Sequence, residues 1–173
     1  MTSEEYEAAV RGALPEDFDP MVMVLGLAGE IGELCVAEED GNLADEIGDV
    51  WWYVTVIRIS VLKTCPSGTP ETVVEIPDRV SGYVYDDHSL TLGLFIWASK
   101  LAEITGRFFG RHVDPDWGEV LFILRMIVDA LRPITAFSGS RTADIWEANA
   151  AKLRGRYPNG RYPNGFVTSG SIH

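Results

Sequence analysis

Apolar positions recur at three- and four-residue intervals along most of the chain, the spacing that lines one face of an α-helix. Glu4 to Leu14 reads as a short helix with Ser3 as its cap. Asp19-Pro20 combines a capping residue with a proline in the first turn. It opens the apolar stretch MVMVLGLAGEIGELCVAEED, which Gly41 is expected to end. Asn42 then caps a second long helix over about Leu43 to Lys63. Helical periodicity resumes at Ser89 and runs to Arg111. Asp114-Pro115 repeats the cap-and-proline signal and predicts a helix ending near Leu131, ahead of Pro133. A last helix is predicted from Ser140 or Thr142 to a point before Pro158.

Two segments break this pattern. Cys65 to His88 holds Pro66, Gly68, Pro70, Pro77 and Gly82 and reads as a long connection. Within it, TVVEI has strand character but no partner strand. The tail repeats RYPNG at 156–160 and 161–165, a turn-rich extension. Five or six helices joined mostly by short loops predict one all-α domain over 1–173, an antiparallel helix bundle.

The two middle helical hairpins can be laid on each other. LGLAGEIGEL at 25–34 aligns with LGLFIWASKL at 92–101, and EIGDVWWYV at 46–54 with DWGEVLFIL at 116–124. This predicts pseudo-repeats over 20–64 and 88–132, followed by a C-terminal helix and tail over 140–173. In that register Glu30 meets Trp97, Glu33 meets Lys100, Glu46 meets Asp116 and Asp49 meets Glu119. The second copy thus lacks the full set of acids.

Composition narrows the class. With 14 Lys and Arg against 26 Asp and Glu, the formal charge is −12 over 173 residues. A surface this acidic argues against nucleic acid or an anionic membrane as partner. The opening MTSEEYEAAV has neither the basic start nor the apolar run of a signal peptide. No uncharged run reaches the roughly 18 residues of a membrane span. A cytoplasmic location is expected. Cys35 and Cys65 make no disulfide framework, and Cys and His are too few for a zinc site.

The charge is unevenly placed. From Gly12 to Ile57 there are eleven acids, Glu16 through Asp49, and no Lys or Arg. Asn149 to Phe166 carries Lys152, Arg154, Arg156 and Arg161 and no acid. A solvated acidic face would account for the first stretch, but the spacing of its acids points further. Glu30 and Glu33 are three apart on one helix, and Glu46 and Asp49 three apart on the next. Such pairs lie about 60° apart around a helix and about 4.5 Å apart along it, so each projects from one face. A short turn at Asp40-Gly41-Asn42 brings the two pairs level. Gly29, Gly32 and Gly48 flank them, which suggests a need for room.

Four converging carboxylates ionise together only with a cation nearby. A hard divalent ion such as Mg²⁺, which takes carboxylates, water and substrate phosphates, suits them. A di-iron bundle would need Glu-x-x-His pairs, whereas His88, His112 and His173 fall near helix ends or in the tail.

These residues resemble a known family. GEIGEL at 29–34 followed by DEIGDVWWYV at 45–54 is similar to the paired ExxE and ExxD signature of the all-α nucleoside triphosphate pyrophosphohydrolases, the MazG-like superfamily. NAAKLRGRYPNG at 149–160 is similar to the segment that closes many members. The family often has lysines around 38–40, and this chain has none. The resemblance implies Mg²⁺-dependent hydrolysis of a nucleoside triphosphate to the monophosphate and pyrophosphate, with Mn²⁺ as a substitute ion and nucleotide-pool housekeeping as the role. It implies Glu30, Glu33, Glu46 and Asp49 as metal ligands and Glu33 as the catalytic base. Asn149, Lys152 and Arg156 would then bind substrate, joined by Lys100 if the hairpins are duplicates. Trp51 or Trp97 could stack on the base, and a homodimer is compatible with the apolar helices. A nucleotide-binding bundle without turnover and a helical interaction protein with no small ligand are the rival functions.

Overall fold

The computed structural model describes residues 1–14, 18–37, 41–64, 87–111 and 115–157. Every regular element among them is helical: α1 (Ser3–Ala13), α2 (Pro20–Leu34), α3 (Leu43–Thr64), α4 (Asp87–Arg111), α5 (Trp117–Phe137) and α6 (Thr142–Arg156). The all-α bundle expected from the periodicity is therefore the fold. None of these helices is long and apolar enough to cross a membrane.

The starts of α1, α2 and α5 follow side-chain chemistry, with the cap one residue from expectation in α1 and two in α5, while α6 starts at Thr142 with no side-chain cap bond. Thr2, not Ser3, caps α1: its hydroxyl accepts from the Glu5 amide, and Glu5 accepts in return from the Thr2 amide at 2.7 Å. That reciprocal pair satisfies two amides the helix leaves open. Asp19 caps α2 as expected, accepting from the Met21 amide at 2.8 Å. For α5 the cap is Asp116, which accepts from Gly118 and Glu119, so the helix begins two residues after Pro115.

Two helix ends differ from expectation. Helix α2 stops at Leu34, well short of Gly41. Gly41 instead has φ of +74°, a left-handed conformation that costs glycine least, and it turns the chain into α3. Helix α5 runs through Pro133 to Phe137. The proline withholds one backbone N–H, but Leu131, Ile134 and Thr135 are all buried, and their packing keeps the helix going. The TVVEI segment, the second RYPNG and most of the long connection lie outside the described residues.

Helices α2 and α3 pack on each other, as do α4 and α5; across the bundle α2 meets α4 and α3 meets α5. Leu27, Ile31, Ile47, Leu94, Leu121, Leu124 and Ile127 fill the shared core. Helices α1 and α6 pack on α3 and on each other. Tyr6, Trp51 and Trp146 form their junction. The Tyr6 ring stacks on Trp146 at 5.4 Å and 8°, and Trp51 meets Trp146 edge-on at 86°. Next to Tyr6 on α1, Glu7 accepts hydrogen bonds from Arg11 and from Arg58 of α3.

Candidate metal centre

The turn through Gly41 sets the geometry of the site. Glu30 and Glu33 sit on the last turns of α2, Glu46 in the first turn of α3, and the reversal between them brings the three together. One carboxylate oxygen from each lies within 4.8 Å of the others. Their environments differ: Glu46 is buried at 8% exposure, Glu30 is partly buried, and Glu33 faces solvent. Asn42, the expected α3 cap, donates from its side-chain amide to Glu46 Oε1 at 2.7 Å, while its carbonyl accepts from the amides of Asp45 and Glu46.

Crowding shows in the proton affinities. The Glu30 carboxyl is pushed up to about 7, first by burial and then by the charges of Asp49, Glu33 and Glu46; Lys152 opposes the rise. Glu46 is raised for the same reasons, burial first.

Asp49, the fourth expected ligand, lies outside this trio and is held from α6. Its Oδ1 accepts from Asn149 Nδ2 at 3.0 Å and its Oδ2 from Lys152 Nζ at 2.5 Å. Lys152 also bonds Asp45 Oδ2 at 2.9 Å. Two like carboxylates on either side hold the ammonium charged, and the Lys152 pKa is raised although burial works against it. Behind Asn149, the buried Tyr6 hydroxyl donates to Asn149 Oδ1 at 2.8 Å. Burial, then the Asp49 charge, raises the Tyr6 phenol, so it stays protonated.

Gly48 is what lets α6 come this close. A Cβ there would sit 3.2 Å from Asn149 Cβ and 3.3 Å from its Nδ2. Gly29 and Gly32 have no such neighbour: a Cβ on either would meet open space. Among the described residues, Gly48 is the one of the three flanking glycines that packing requires.

The remaining expected residues are placed as follows. Arg156 is exposed in the last turn of α6, one turn beyond Lys152 on the same face. Lys100 is exposed on α4, with its Nζ 5.2 Å from the centroid of the Trp97 ring. Trp51 is fully buried against Trp146 and so is closed to base stacking; Trp97 is partly exposed, edge-on to Phe122. Cys35 is a free, exposed thiol just after α2.

Tyr6 and Asp45 were not singled out by sequence. Tyr6 lies 143 positions from its partner Asn149, and no local pattern marks that pairing. Asp45 had a weak signal, a further acid one residue before Glu46.

The donor set is all oxygen, three carboxylates converge, and their mutual repulsion is what a divalent cation would relieve. The residues present therefore fit such an ion. The chain matches no family model, no curated protein and no solved structure.

Proposed function

We propose that this protein is a Mg²⁺-dependent nucleoside triphosphate pyrophosphohydrolase of the MazG-like type, converting (d)NTP and water to (d)NMP and pyrophosphate. The supporting observation is the meeting of two charge systems. The Glu30–Glu33–Glu46 trio lies beside Asp49, and Asp49 is bound to the basic, Asn-bearing face of α6.

Glu30, Glu33 and Glu46 would hold the ion, with Asp49 at the edge of the group. When bound, Mg²⁺ neutralises triphosphate charge and makes a coordinated water more acidic. Glu33 is the most exposed of the trio and suits the base that accepts the proton from the attacking water. The water oxygen forms a bond to phosphorus as the α–β anhydride P–O bond breaks, and pyrophosphate leaves with that bridging oxygen. Lys152 provides a point charge for phosphate, and Arg156 a planar fork one turn on. Asn149, expected on the substrate, is buried with Oδ1 engaged by Tyr6 and Nδ2 by Asp49, and would orient Asp49 instead. Lys100 on α4 would add a further cation to the phosphates. Housekeeping of the cytoplasmic nucleotide pool is the proposed role.

A panel of NTPs and dNTPs with Mg²⁺ tests this. Pyrophosphate release is expected with at least one nucleotide, and Mn²⁺ should sustain it. Glu46→Gln should abolish it. No turnover with any nucleotide would sink the proposal.

The ion pair of Lys152 with Asp49 favours one other reading, a bundle that binds nucleotide without cleaving it, because the cation there already neutralises an expected metal ligand. Calorimetric binding of nucleotide with no product would identify that case.

A further inference from the structure

We propose that Tyr6 is a positioning residue for the acidic site, acting through Asn149 to set the direction of the Asp49 carboxylate. As far as turnover is concerned, this rests on the hydrolase reading above; the hydrogen-bond relay itself does not.

The argument is one of donors and acceptors. An ionised Asp49 only accepts hydrogen bonds, so the Asn149 group facing it must be the Nδ2 donor. That leaves Asn149 Oδ1 facing Tyr6, which must therefore donate. The distances of 3.0 Å and 2.8 Å fit both bonds. Rotating the amide by half a turn would set Oδ1 against the Asp49 carboxylate, acceptor against acceptor. The Asp49 carboxylate selects this orientation and the phenol O–H reinforces it, since without the hydroxyl Oδ1 is buried with no donor and the amide is held less firmly.

Each part of the relay is fixed. Tyr6 and Asn149 are 2% and 3% exposed. The Tyr6 ring is stacked on Trp146, which Trp51 holds edge-on. Asn149 is seated against Gly48, where a side chain would crowd it. Tyr6 thus carries the order of the aromatic junction to an Asp49 carboxylate whose side chain is 21% exposed at the edge of the site. Lys152 holds the other oxygen of the same carboxylate. Asp49 therefore enters the site with both oxygens already directed by α6 and, through it, by α1.

The test uses the full chain with Tyr6→Phe, which keeps the stacked ring and removes only the hydroxyl. First, the Asn149 side-chain amide signals are followed by NMR, assigned by their loss in Asn149→Ala. They should shift and broaden in Tyr6→Phe; unchanged signals would overturn the relay whether or not the protein is an enzyme. Second, with the nucleotide that wild type turns over, Tyr6→Phe should lower kcat/KM by about 10- to 100-fold, the usual effect of removing a partner that orients a ligand. The double variant Tyr6→Phe/Asn149→Ala should lose no more than Asn149→Ala alone. Full activity in Tyr6→Phe, or losses that multiply in the double variant, would overturn it. If wild type turns over nothing, the hydrolase reading fails, and the NMR result alone decides the role of Tyr6.

Discussion

Laid on each other in the register of their sequences, the hairpins α2–α3 and α4–α5 bury several matching positions and expose different chemistry. Leu27 and Leu94 are both buried, as are Leu34 and Leu101, Val50 and Val120, and Val54 and Leu124, whereas buried Trp52 is matched by the half-exposed Phe122. Leu25 and Leu92 are both exposed, at 59% and 61%. At the positions of the four acids the two part company. Glu30 and Glu33 correspond to Trp97 and Lys100, which contact each other through the ring and the ammonium. Glu46 corresponds to Asp116, whose carboxylate is spent on capping α5. Asp49 corresponds to the exposed Glu119. The difference teaches that the core pattern and the site pattern are separable. A hairpin needs its apolar stripe to pack, but an acidic site also needs a neighbour, here α6, that brings cations and amides to it.

This comparison can be broken most sharply at the acids themselves. Glu46→Gln should weaken Mn²⁺ binding, read by calorimetry, by about a hundredfold or more, since it removes a converging carboxylate. The corresponding Asp116→Asn should leave it unchanged, because Asn still caps a helix. An equal loss from both would mean that the ion is not held by the first hairpin.

The next largest effect belongs to the glycines. Gly48→Ala should destabilise the fold by about 1–3 kcal/mol in urea unfolding, the ordinary cost of overpacking a tight contact. It should also displace Asn149. Gly118→Ala at the corresponding position would press on Asp116 Oδ1, the atom that caps α5, at 3.1 Å, and should cost no more than that cap is worth, about 1 kcal/mol. Asp116→Ala should cost about 1 kcal/mol through the lost cap, with no change in metal affinity.

The last effect is a pH slope, reduced by solvent screening because Glu30 is only partly buried. Glu30 holds its proton to about 7 in the folded chain, while in the unfolded chain it titrates near the ordinary value of 4.5. Between those values the folded state binds more protons, so metal-free stability falls as pH rises through this window. Glu30→Gln should flatten that slope, and Mg²⁺ should offset it in wild type. A slope unchanged in Glu30→Gln would assign it to another group.

Much of the fold was legible because helix formation is dominated by local pattern. The Asp19-Pro20 start and the turn at Gly41 come from signals within a few residues, while α6 begins at Thr142 although its cap residue Arg141 makes no side-chain capping bond. Where local signals misled, packing had overruled them. Pro133 would end an isolated helix, but Leu131 and Ile134 are buried and hold α5 together. The proline after Asp114 drew attention to the wrong cap, since Asp116 makes the bonds. In the site, the i, i+3 spacing of Glu30 with Glu33 and of Glu46 with Asp49 is local geometry, and it could be read directly. The same spacing could not tell that Glu46 would join the Glu30 side while Asp49 turned to Asn149 and Lys152.

What the amino-acid sequence determined by itself is the set of helices, the acid pairs on two of them, and the basic face of the last. Those follow from the 3.6-residue period and from capping chemistry, both properties of neighbouring residues. Only the tertiary structure decided the partners: Tyr6 on Asn149, Lys152 between Asp45 and Asp49, and Gly48 as the seat of α6. Those contacts join residues up to 143 positions apart. They are set by which helix faces meet when the core closes, and no local period encodes that.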